Sequence, residues 1–343
     1  MSEATLAAKE GEEGKGAEVA KQAPDQGSGP RAWAARARDV GFWAEWAALV
    51  GLVVLVIVFQ SADSTFLSTG NVESMLVSAA ILIILAVGQT FVIATAGIDL
   101  SIASTMTLGA VAFGQAYQAG WGLGLSCVLA VVASAAVGVA NGVIVARGKI
   151  TDFIVTLGTL SAASGLALIL SDGKPVTIVN TTLLKLSTGG IGVLGWTFLI
   201  AAGVALVAHV ALFHTRFGTH VLATGGAPES ASAMGISTAR VKIAVYVVSG
   251  ALAGLGSVLL VARVGAAEPA ANTSFLLNSV AAVVLGGVSL FGGRATIVGP
   301  VIGALLLTAL VNGLTLLGVS QFYQPLSVGI VVVLAAFLTR FQR

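Results

Sequence analysis

The sequence predicts an all-α membrane protein with about ten transmembrane helices, on three observations. The chain of 343 residues is 57% hydrophobic and 9% charged, whereas an ordinary soluble domain is about 25% charged. From about residue 43 onward, apolar runs follow one another at roughly the 20-residue length that an α-helix needs to cross a bilayer. Lys and Arg residues collect in every second loop between these runs. A water-soluble fold of this size could not cover its surface with so little charge.

Residues 1–42 differ from the rest of the chain, and we expect them to form a disordered cytoplasmic tail ahead of a membrane domain at 43–343. Eight of the 15 Asp and Glu residues fall within the first 45 positions, beside Gly and Pro and few large apolar side chains. Such a segment cannot bury enough apolar surface to fold. Acidic residues dominate its start and no apolar run follows within 30 residues, so it is not a secretory signal peptide.

The apolar runs define ten predicted spans. They cover residues 43–60, 74–96, 100–118, 123–146, 150–171, 193–213, 241–263, 275–291, 296–317 and 323–341. With the tail in the cytoplasm, alternate loops place 14 Lys and Arg residues on the cytoplasmic side and three, Lys174, Lys185 and Arg263, on the other. Because cytoplasmic loops carry the excess of Lys and Arg, this split predicts that both termini are cytoplasmic.

A single acid, Asp99, stands between the second and third spans in the stretch ATAGIDLSIAS, residues 94–104. In one interpretation, Asp99 or Ser101 caps the third helix by accepting hydrogen bonds from its free amides. In the other, Asp99 faces a route through the membrane and binds hydroxyl groups that pass it. An uncompensated charge at the membrane centre costs about 2.5–3.5 kcal/mol, so the acid needs the helix end, water or a partner.

Uncharged hydrogen-bonding side chains within the spans are weaker candidates for the same route. Each of them can instead hold two helices together. They are Gln89, Asn141, Thr156, Thr159, Ser161, Asn278 and Asn312.

The longest internal cytoplasmic loop, residues 214–240, is predicted to contain a short exposed helix. Pro228, followed by Glu and small residues, suits the start of a helix, and Gly235 suits its end. Ala231, Ala233 and Met234 would give this helix a small apolar surface. Such a helix either lies flat at the membrane interface or docks in a groove of a cytoplasmic partner.

A glycine-rich stretch, GGVSLFGGRATIVGPVIG, joins the eighth and ninth spans at residues 286–303. Glycine at this density allows helix backbones to approach closely, or a helix to break inside the membrane. Lipid cannot satisfy a broken backbone, so any break must be buried in protein or line a water-filled route.

The polar residues argue against an enzyme, an ATPase and an ion-coupled carrier. His209, His214 and His220 are spaced by five and six residues, which does not stack them on one helix face as a metal site. The sequence contains no nucleotide-binding G-x-x-x-x-G-K-[ST] motif and no arrangement of nucleophile and base. The spans are nearly free of the charged groups that bind coupling ions. We therefore expect a transport protein without cofactor or metal, driven by an external energy source.

The net charge of +2 is too small to indicate that the protein binds nucleic acid.

The cytoplasmic loop resembles the EAA-type loop of bacterial ABC importer permeases, in which Glu-Ala-Ala is followed by Gly six positions after the Glu. Here Glu229-Ser230-Ala231 is followed by Gly235, and Ser230 departs from the pattern. Residues 88–104, 141–170 and 284–338 are similar to the sugar-importing branch, the ribose/xylose/galactose-type permeases. The resemblance covers about residues 45–340.

The resemblance implies a type II ABC importer-like permease of the bacterial inner membrane, with ten helices per subunit and working as a homodimer. It would translocate a pentose or hexose, delivered by a periplasmic sugar-binding protein, by alternating access. A coupling helix near 227–236 would contact a cytoplasmic ABC ATPase subunit. Its predicted contact residues are Glu229, Ser230, Ala231, Ala233, Met234 and Gly235.

Two alternatives stay open from the sequence. The same scaffold carries branched-chain amino acids or a signalling furanone in other permeases, although "GIDLS", "SLFGGR" and "NGLTLLGVS" look more like the sugar branch. An ATP-independent secondary carrier or channel is the alternative from a different class.

Overall fold

Helices make up nearly all of the regular structure in residues 40–270 and 273–339, the part of the chain that this computed structural model describes. Residues 1–39 of the predicted tail lie outside the described residues. The helices are α1 (Val40–Ala62), α2 (Thr69–Ala94), α3 (Ile102–Gln118), α4 (Gly122–Gly148), α5 (Asp152–Ser171), α6 (Thr181–Thr188), α7 (Trp196–Phe213), α8 (Arg216–Gly226), α9 (Pro228–Ala233), α10 (Thr238–Val264), α11 (Thr273–Leu285), α12 (Val298–Leu316) and α13 (Gln324–Thr339). The strands are β1 (Val176–Thr177), β2 (Gly190–Ile191), β3 (Leu194–Gly195) and β4 (Ala266–Ala267).

Each of the ten predicted spans coincides with a helix in this part of the chain. In order, they are α1, α2, α3, α4, α5, α7, α10, α11, α12 and α13. Six of them, α2, α4, α5, α7, α10 and α12, are by themselves long and apolar enough to cross a membrane. The all-α membrane fold predicted from the apolar runs is therefore confirmed.

The eighth predicted span differs most from its helix, because α11 ends at Leu285 rather than near residue 291. A Cβ on Gly286 would collide with the backbone of Gly299 and Pro300 at the start of α12, so the two segments touch there through glycine. Gly287 then takes a φ of 77°, which ends the helix. With 13 residues, α11 is about 20 Å long, shorter than the roughly 30 Å hydrocarbon core. The glycine-rich stretch thus brings backbones close together and also breaks the helix.

The middle of the membrane domain is formed by α2 and α10. Every residue of α2 from Ala79 to Ala94 is buried, as expected for a helix that is apolar on all sides. Helix α10 packs against α2, α3 and α4. A Cβ on Gly138 of α4 would collide with the Tyr246 carbonyl of α10, so these two helices approach at backbone distance.

Short elements cover the predicted periplasmic ends of the helices. Strand β1 pairs antiparallel with β4, and β2 pairs antiparallel with β3. Helix α6 is capped by Asn180, whose side chain accepts hydrogen bonds from the amides of Thr182 and Leu183. Val176 of β1 packs on Gly114 near the end of α3, which fixes this cover to the bundle.

Candidate translocation route and coupling surface

A cavity of about 320 Å³ lies between α2, α11 and α12, with Arg263 of α10 at its wall. Its volume is within the range of small-molecule sites. Ser74 and Ser78 belong to the first turns of α2 and Thr315 to the last turn of α12, so the cavity lies toward the predicted periplasmic side. Its lining residues are Ser74, Met75, Ser78, Leu82, Arg263, Phe275, Asn278, Leu307, Thr308, Val311, Asn312 and Thr315.

Two predicted route residues, Asn278 and Asn312, line this cavity and differ in their bonding. Asn312 exchanges two hydrogen bonds of 2.9 Å with Asn71 of α2. Asn71 also donates to the Phe66 carbonyl at 2.7 Å, which ties the loop between α1 and α2 to α12. The side chain of Asn278 makes no hydrogen bond to another described residue, so it is available to a solute in the cavity.

The loop between α1 and α2 contains a turn that is held by hydrogen bonds between Asp63 and Thr65. The Thr65 side-chain hydroxyl and the Thr65 amide donate to the Asp63 carboxylate at 2.7 and 2.8 Å. These bonds favour the ionised form and lower the pKa of Asp63 below its ordinary value. They stabilise the turn that presents the Phe66 carbonyl to Asn71.

The cavity ends at Leu82 and Leu307, which are 4% and 0% exposed. Gln89, a third predicted route residue, is fully buried further along α2. In the described part of the chain, neither its Oε1 nor its Nε2 has a hydrogen-bond partner.

Asp99 lies in the break between α2 and α3, and it is 3% exposed. Its Oδ1 accepts from the Ser101 amide at 2.9 Å and the Ser101 hydroxyl at 2.6 Å, and its Oδ2 accepts from the Ser249 hydroxyl at 2.9 Å. Ser101 is the N-cap residue of α3. The carboxylate thus binds the chain at the start of α3 and joins it to α10.

Asn141 and Thr159 extend this arrangement into α4 and α5. The Asn141 amide donates to the Ser101 hydroxyl at 2.8 Å, and the Thr159 hydroxyl donates to the Asn141 Oδ1 at 2.6 Å. Asn141 is seven residues from the end of α4, which places the network about 10 Å inside the predicted cytoplasmic end of that helix. The structure therefore brings together Asp99, Asn141 and Thr159 in a chain of hydrogen bonds, which we call the Asp99 network.

The backbone just before Asp99 is held by a second set of contacts. The Ile98 carbonyl accepts from Thr156 at 3.2 Å and from Tyr246 at 3.4 Å. The Lys242 ammonium lies 3.4 Å from the Asp152 carboxylate, and a Cβ on Gly97 would collide with that carboxylate. A larger residue at position 97 would therefore require the Asp152 side chain to move.

Sequence reasoning missed the partners that α10 supplies to this break. Ser249 and Tyr246 are 150 and 148 residues from the atoms they bind. The only sign of these partners in the sequence is that Ser249 and Tyr246 carry hydroxyl groups within an apolar span. Such hydroxyl groups are too common in membrane helices to identify a bonding partner.

The short helix predicted in the cytoplasmic loop is α9, and its end has the predicted geometry. Gly235 has a φ of 84°, its amide donates to the Ser232 carbonyl, and the Ile236 amide donates to the Ala231 carbonyl. This pair of bonds is a Schellman motif, which favours glycine at that position.

The exposed face of α9 is smaller than predicted. Glu229, Ser230, Ala233 and Met234 are exposed, and Met234 is 72% exposed. Ala231 is 1% exposed, so its inclusion in the apolar docking surface was wrong. A helix of six residues must turn part of its circumference toward the protein, and Ala231 is on that side.

Helix α8 connects this exposed helix to the membrane domain through closely packed backbone. A Cβ on Gly225 would collide with the Ala94 carbonyl at the end of α2, and it would lie 2.7 Å from the Gly293 nitrogen. The Gly293 amide itself donates to the Ala94 carbonyl at 3.0 Å. We call this contact of Ala94, Gly225 and Gly293 the glycine junction.

The described residues contain no group of three or more His, Cys, Asp and Glu side chains that could hold a metal ion. A bundle of helices long and apolar enough to span a membrane, with a polar cavity on one side and an exposed short helix on the other, is consistent with a transmembrane permease. Residues 71–336 match the family described as branched-chain amino acid transport system / permease component. The chain belongs to this family.

Curated relatives cover most of the chain. It is 38% identical to the ribose import permease protein RbsC of Bacillus subtilis (strain 168), over 85% of this chain and 91% of the relative. It is 34% identical to the L-arabinose ABC transporter permease protein AraH of Azospirillum brasilense, over 85% and 87%. It is 33% identical to the autoinducer 2 import system permease protein LsrC of Salmonella typhi, over 84% and 83%. No solved structure matches the chain.

Proposed function

We propose that this chain is the membrane-spanning permease subunit of an ATP-binding cassette importer for a monosaccharide of the pentose or hexose class. The observation that carries the proposal is similarity, over 85% of the chain, to permeases named for ribose and L-arabinose. The family match also includes the residues of the cavity, of the Asp99 network and of α9.

The chemistry of the outer cavity supports a sugar over an amino acid. Its polar lining consists of Asn, Ser and Thr side chains and Arg263, and no carboxylate is present among the described lining residues. Amides, hydroxyls and a guanidinium suit the hydroxyl groups of a sugar. An amino acid would bring an ammonium group, for which a carboxylate partner is expected.

The remaining parts of the importer are proposed as separate subunits. A cytoplasmic ABC ATPase would bind the exposed face of α9, and a periplasmic binding protein would deliver the sugar to the outer cavity. We propose that two copies of this chain form the permease. Closure of the ATPase pair would then switch the route between its two facing states.

Uptake by proteoliposomes tests this proposal. Vesicles would contain the permease with or without its ATPase, and uptake of labelled D-ribose, L-arabinose, D-galactose and L-leucine would be measured with binding protein present. We expect ATP-dependent uptake of at least one sugar and none of leucine, with an ATPase variant unable to hydrolyse ATP as the control. Equal uptake without the ATPase would favour a secondary carrier or channel, and uptake of leucine alone would favour an amino-acid permease.

Cross-linking tests the proposed ATPase contact. Cys127 is the chain's single cysteine, so Cys127→Ser provides a background without thiols. In that background Ala233→Cys, on the exposed face, should cross-link to a cysteine in the ATPase groove. Ala231→Cys, which is buried two residues away on the opposite side of the helix, should not. Failure at Glu229, Ser230, Ala233 and Met234 alike would place the ATPase contact elsewhere.

A further inference from the structure

Gln89 has an unusual environment for a polar side chain in the middle of a membrane domain. It is 0% exposed, and both polar atoms of its amide lack a partner in the described part of the chain. Burying an amide without hydrogen bonds is costly, and each such group in a native structure calls for an explanation.

The position of Gln89 on α2 relates it to the outer cavity. Leu82 and Ser78, which line the cavity, precede Gln89 by seven and eleven residues. These are two and three turns of an α-helix, so the three side chains share one face. Gln89 is therefore about 10 Å deeper than Leu82, toward the predicted cytoplasmic side.

On α11 and α12, the two other helices that line the cavity, small residues lie one turn inside it. Ala282 is one turn beyond Asn278 on α11, and Ala304 is one turn before Leu307 on α12. Both alanines are 0% exposed. A Cβ on Gly303 would collide with the Ala282 backbone, so α11 and α12 touch without long side chains between them. The side chains of these alanines offer no hydrogen-bonding group, so the part of α11 and α12 just inside the cavity is apolar.

We propose that Gln89 is a solute-binding residue of the inner half of the route, where it binds sugar hydroxyls once Leu82 and Leu307 separate. This inference rests on the proposed function. A primary amide donates and accepts hydrogen bonds, as a hydroxyl does, so one side chain serves any orientation of the sugar. It carries no charge, so it binds weakly enough to release the sugar again. In the closed state the amide is unpaired, and opening of the route to water or solute supplies its partners.

The proposal predicts opposite effects of Gln89→Leu on stability and on transport. The substitution keeps a side chain of similar size and removes the unpaired amide, so the melting temperature of the purified permease should stay the same or rise. ATP-dependent ribose uptake per transporter should fall roughly tenfold, as expected for the loss of one or two solute hydrogen bonds. A residue that only holds helices together would lose stability when its amide is removed.

Thr197→Val is the matched control. Thr197, in the first turn of α7, is 1% exposed and its hydroxyl also lacks a partner among the described residues. Its replacement should change the melting temperature in the same direction as Gln89→Leu and leave uptake unchanged. The proposal is overturned if Gln89→Leu transports like the wild type, or if its uptake falls only in proportion to a lower melting temperature and lower membrane abundance.

A labelling experiment tests the opening itself without measuring uptake. In the Cys127→Ser background, Gln89→Cys should be inert to a membrane-impermeant methanethiosulfonate in the resting transporter. It should react during ATP turnover with the binding protein present.

Ile84→Cys is the control, because Ile84 is also 0% exposed and lies about 140° away around the axis of α2. Absence of labelling at position 89 in every state, in a complex that imports ribose, would overturn the inference. If the wild type imports no sugar at all, the proposed function fails instead.

Discussion

At the scale of single residues, the structure explains how an acid is accommodated inside an apolar domain. Asp99 receives three hydrogen bonds, and it lies just before the start of α3, where the helix dipole favours negative charge. Bonds of this kind compensate a carboxylate for its loss of water. The same contacts join the break in the chain to α10. No side chain caps the free amides of the first turn of α3, so the predicted cap is replaced by bonds from Asp99 to Ser101 and Ser249.

Replacement of Asp99 separates the role of its charge from the role of its hydrogen bonds. In Asp99→Asn the remaining carbonyl oxygen can still accept from Ser101, and the Ser249 hydroxyl can rotate to accept from the new amide. Loss of the charge near the helix end should cost about 0.3–2 kcal/mol. We expect a lower melting temperature and, because the hydrogen bonds to Ser101 and Ser249 are kept, uptake per transporter close to that of the wild type.

Asp99→Leu is the comparison, because it leaves three buried donors without their acceptor. Each orphaned donor costs about 1–3 kcal/mol, so this variant should be strongly destabilised and scarce in the membrane. If Asp99→Asn melts like the wild type but imports no sugar, the charge itself acts on the solute, and Asp99 belongs to the route.

At the scale of elements, the apolar runs each coincide with a helix in the described part of the chain, because length and composition decide whether a segment can enter the membrane. They could not locate the end of α11. The sequence beyond Leu285 stays apolar through Leu290 and Phe291, and the helix ends there through the contact of Gly286 with Gly299, which is a tertiary contact. Similarly, composition marked Asn278 as a polar residue within a span, but only the assembled helices show that it lies in a cavity.

The glycine junction gives α8 a mechanical connection to two breaks in the membrane domain. Gly225 is in backbone contact with Ala94, the last residue of α2, and with Gly293 beyond α11. Helix α8 leads directly into α9, so we expect a displacement of α9 to reach both breaks through tightly packed backbone. Segments that are packed this closely move together, because a close-packed interior is hard to compress.

Two adjacent glycines allow a controlled test of the junction. Gly225→Ala places a methyl group against the Ala94 carbonyl, and overpacking of this kind costs about 1–3 kcal/mol. Gly226→Ala adds the same methyl group 3.4 Å from the Gly293 Cα, which a small shift can accommodate. We expect Gly225→Ala to lower the melting temperature and to reduce the amount of sugar imported per ATP hydrolysed, while Gly226→Ala behaves like the wild type. If the two variants have the same melting temperature and import the same amount of sugar per ATP hydrolysed, the glycine junction takes no part in coupling.

At the scale of the whole molecule, the cavity and the exposed helix α9 lie on opposite sides of the membrane domain. The cavity with Asn278 lies near one set of helix ends, and α9 with Glu229 lies beyond the opposite set. The distribution of Lys and Arg assigns the first side to the periplasm and the second to the cytoplasm. Import by alternating access requires this arrangement, because the solute must enter from the side opposite to the ATPase.

Sidedness of labelling tests this arrangement in the intact protein. In the Cys127→Ser background, Asn278→Cys should react with an impermeant thiol reagent added to right-side-out vesicles, and Glu229→Cys should react only after the vesicles are inverted. Both positions avoid the paired side chains of the Asp99 network, so neither change should disturb the fold. Ile84→Cys, fully buried in α2, should stay unlabelled from both sides of the resting protein, and the absence of Glu229→Cys labelling before inversion shows that the vesicles are sealed. Reaction of Asn278→Cys from the side of Glu229→Cys would mean that the cavity opens toward the cytoplasm. The outer cavity would then be an exit for the sugar, and delivery by a periplasmic binding protein would need a different entrance.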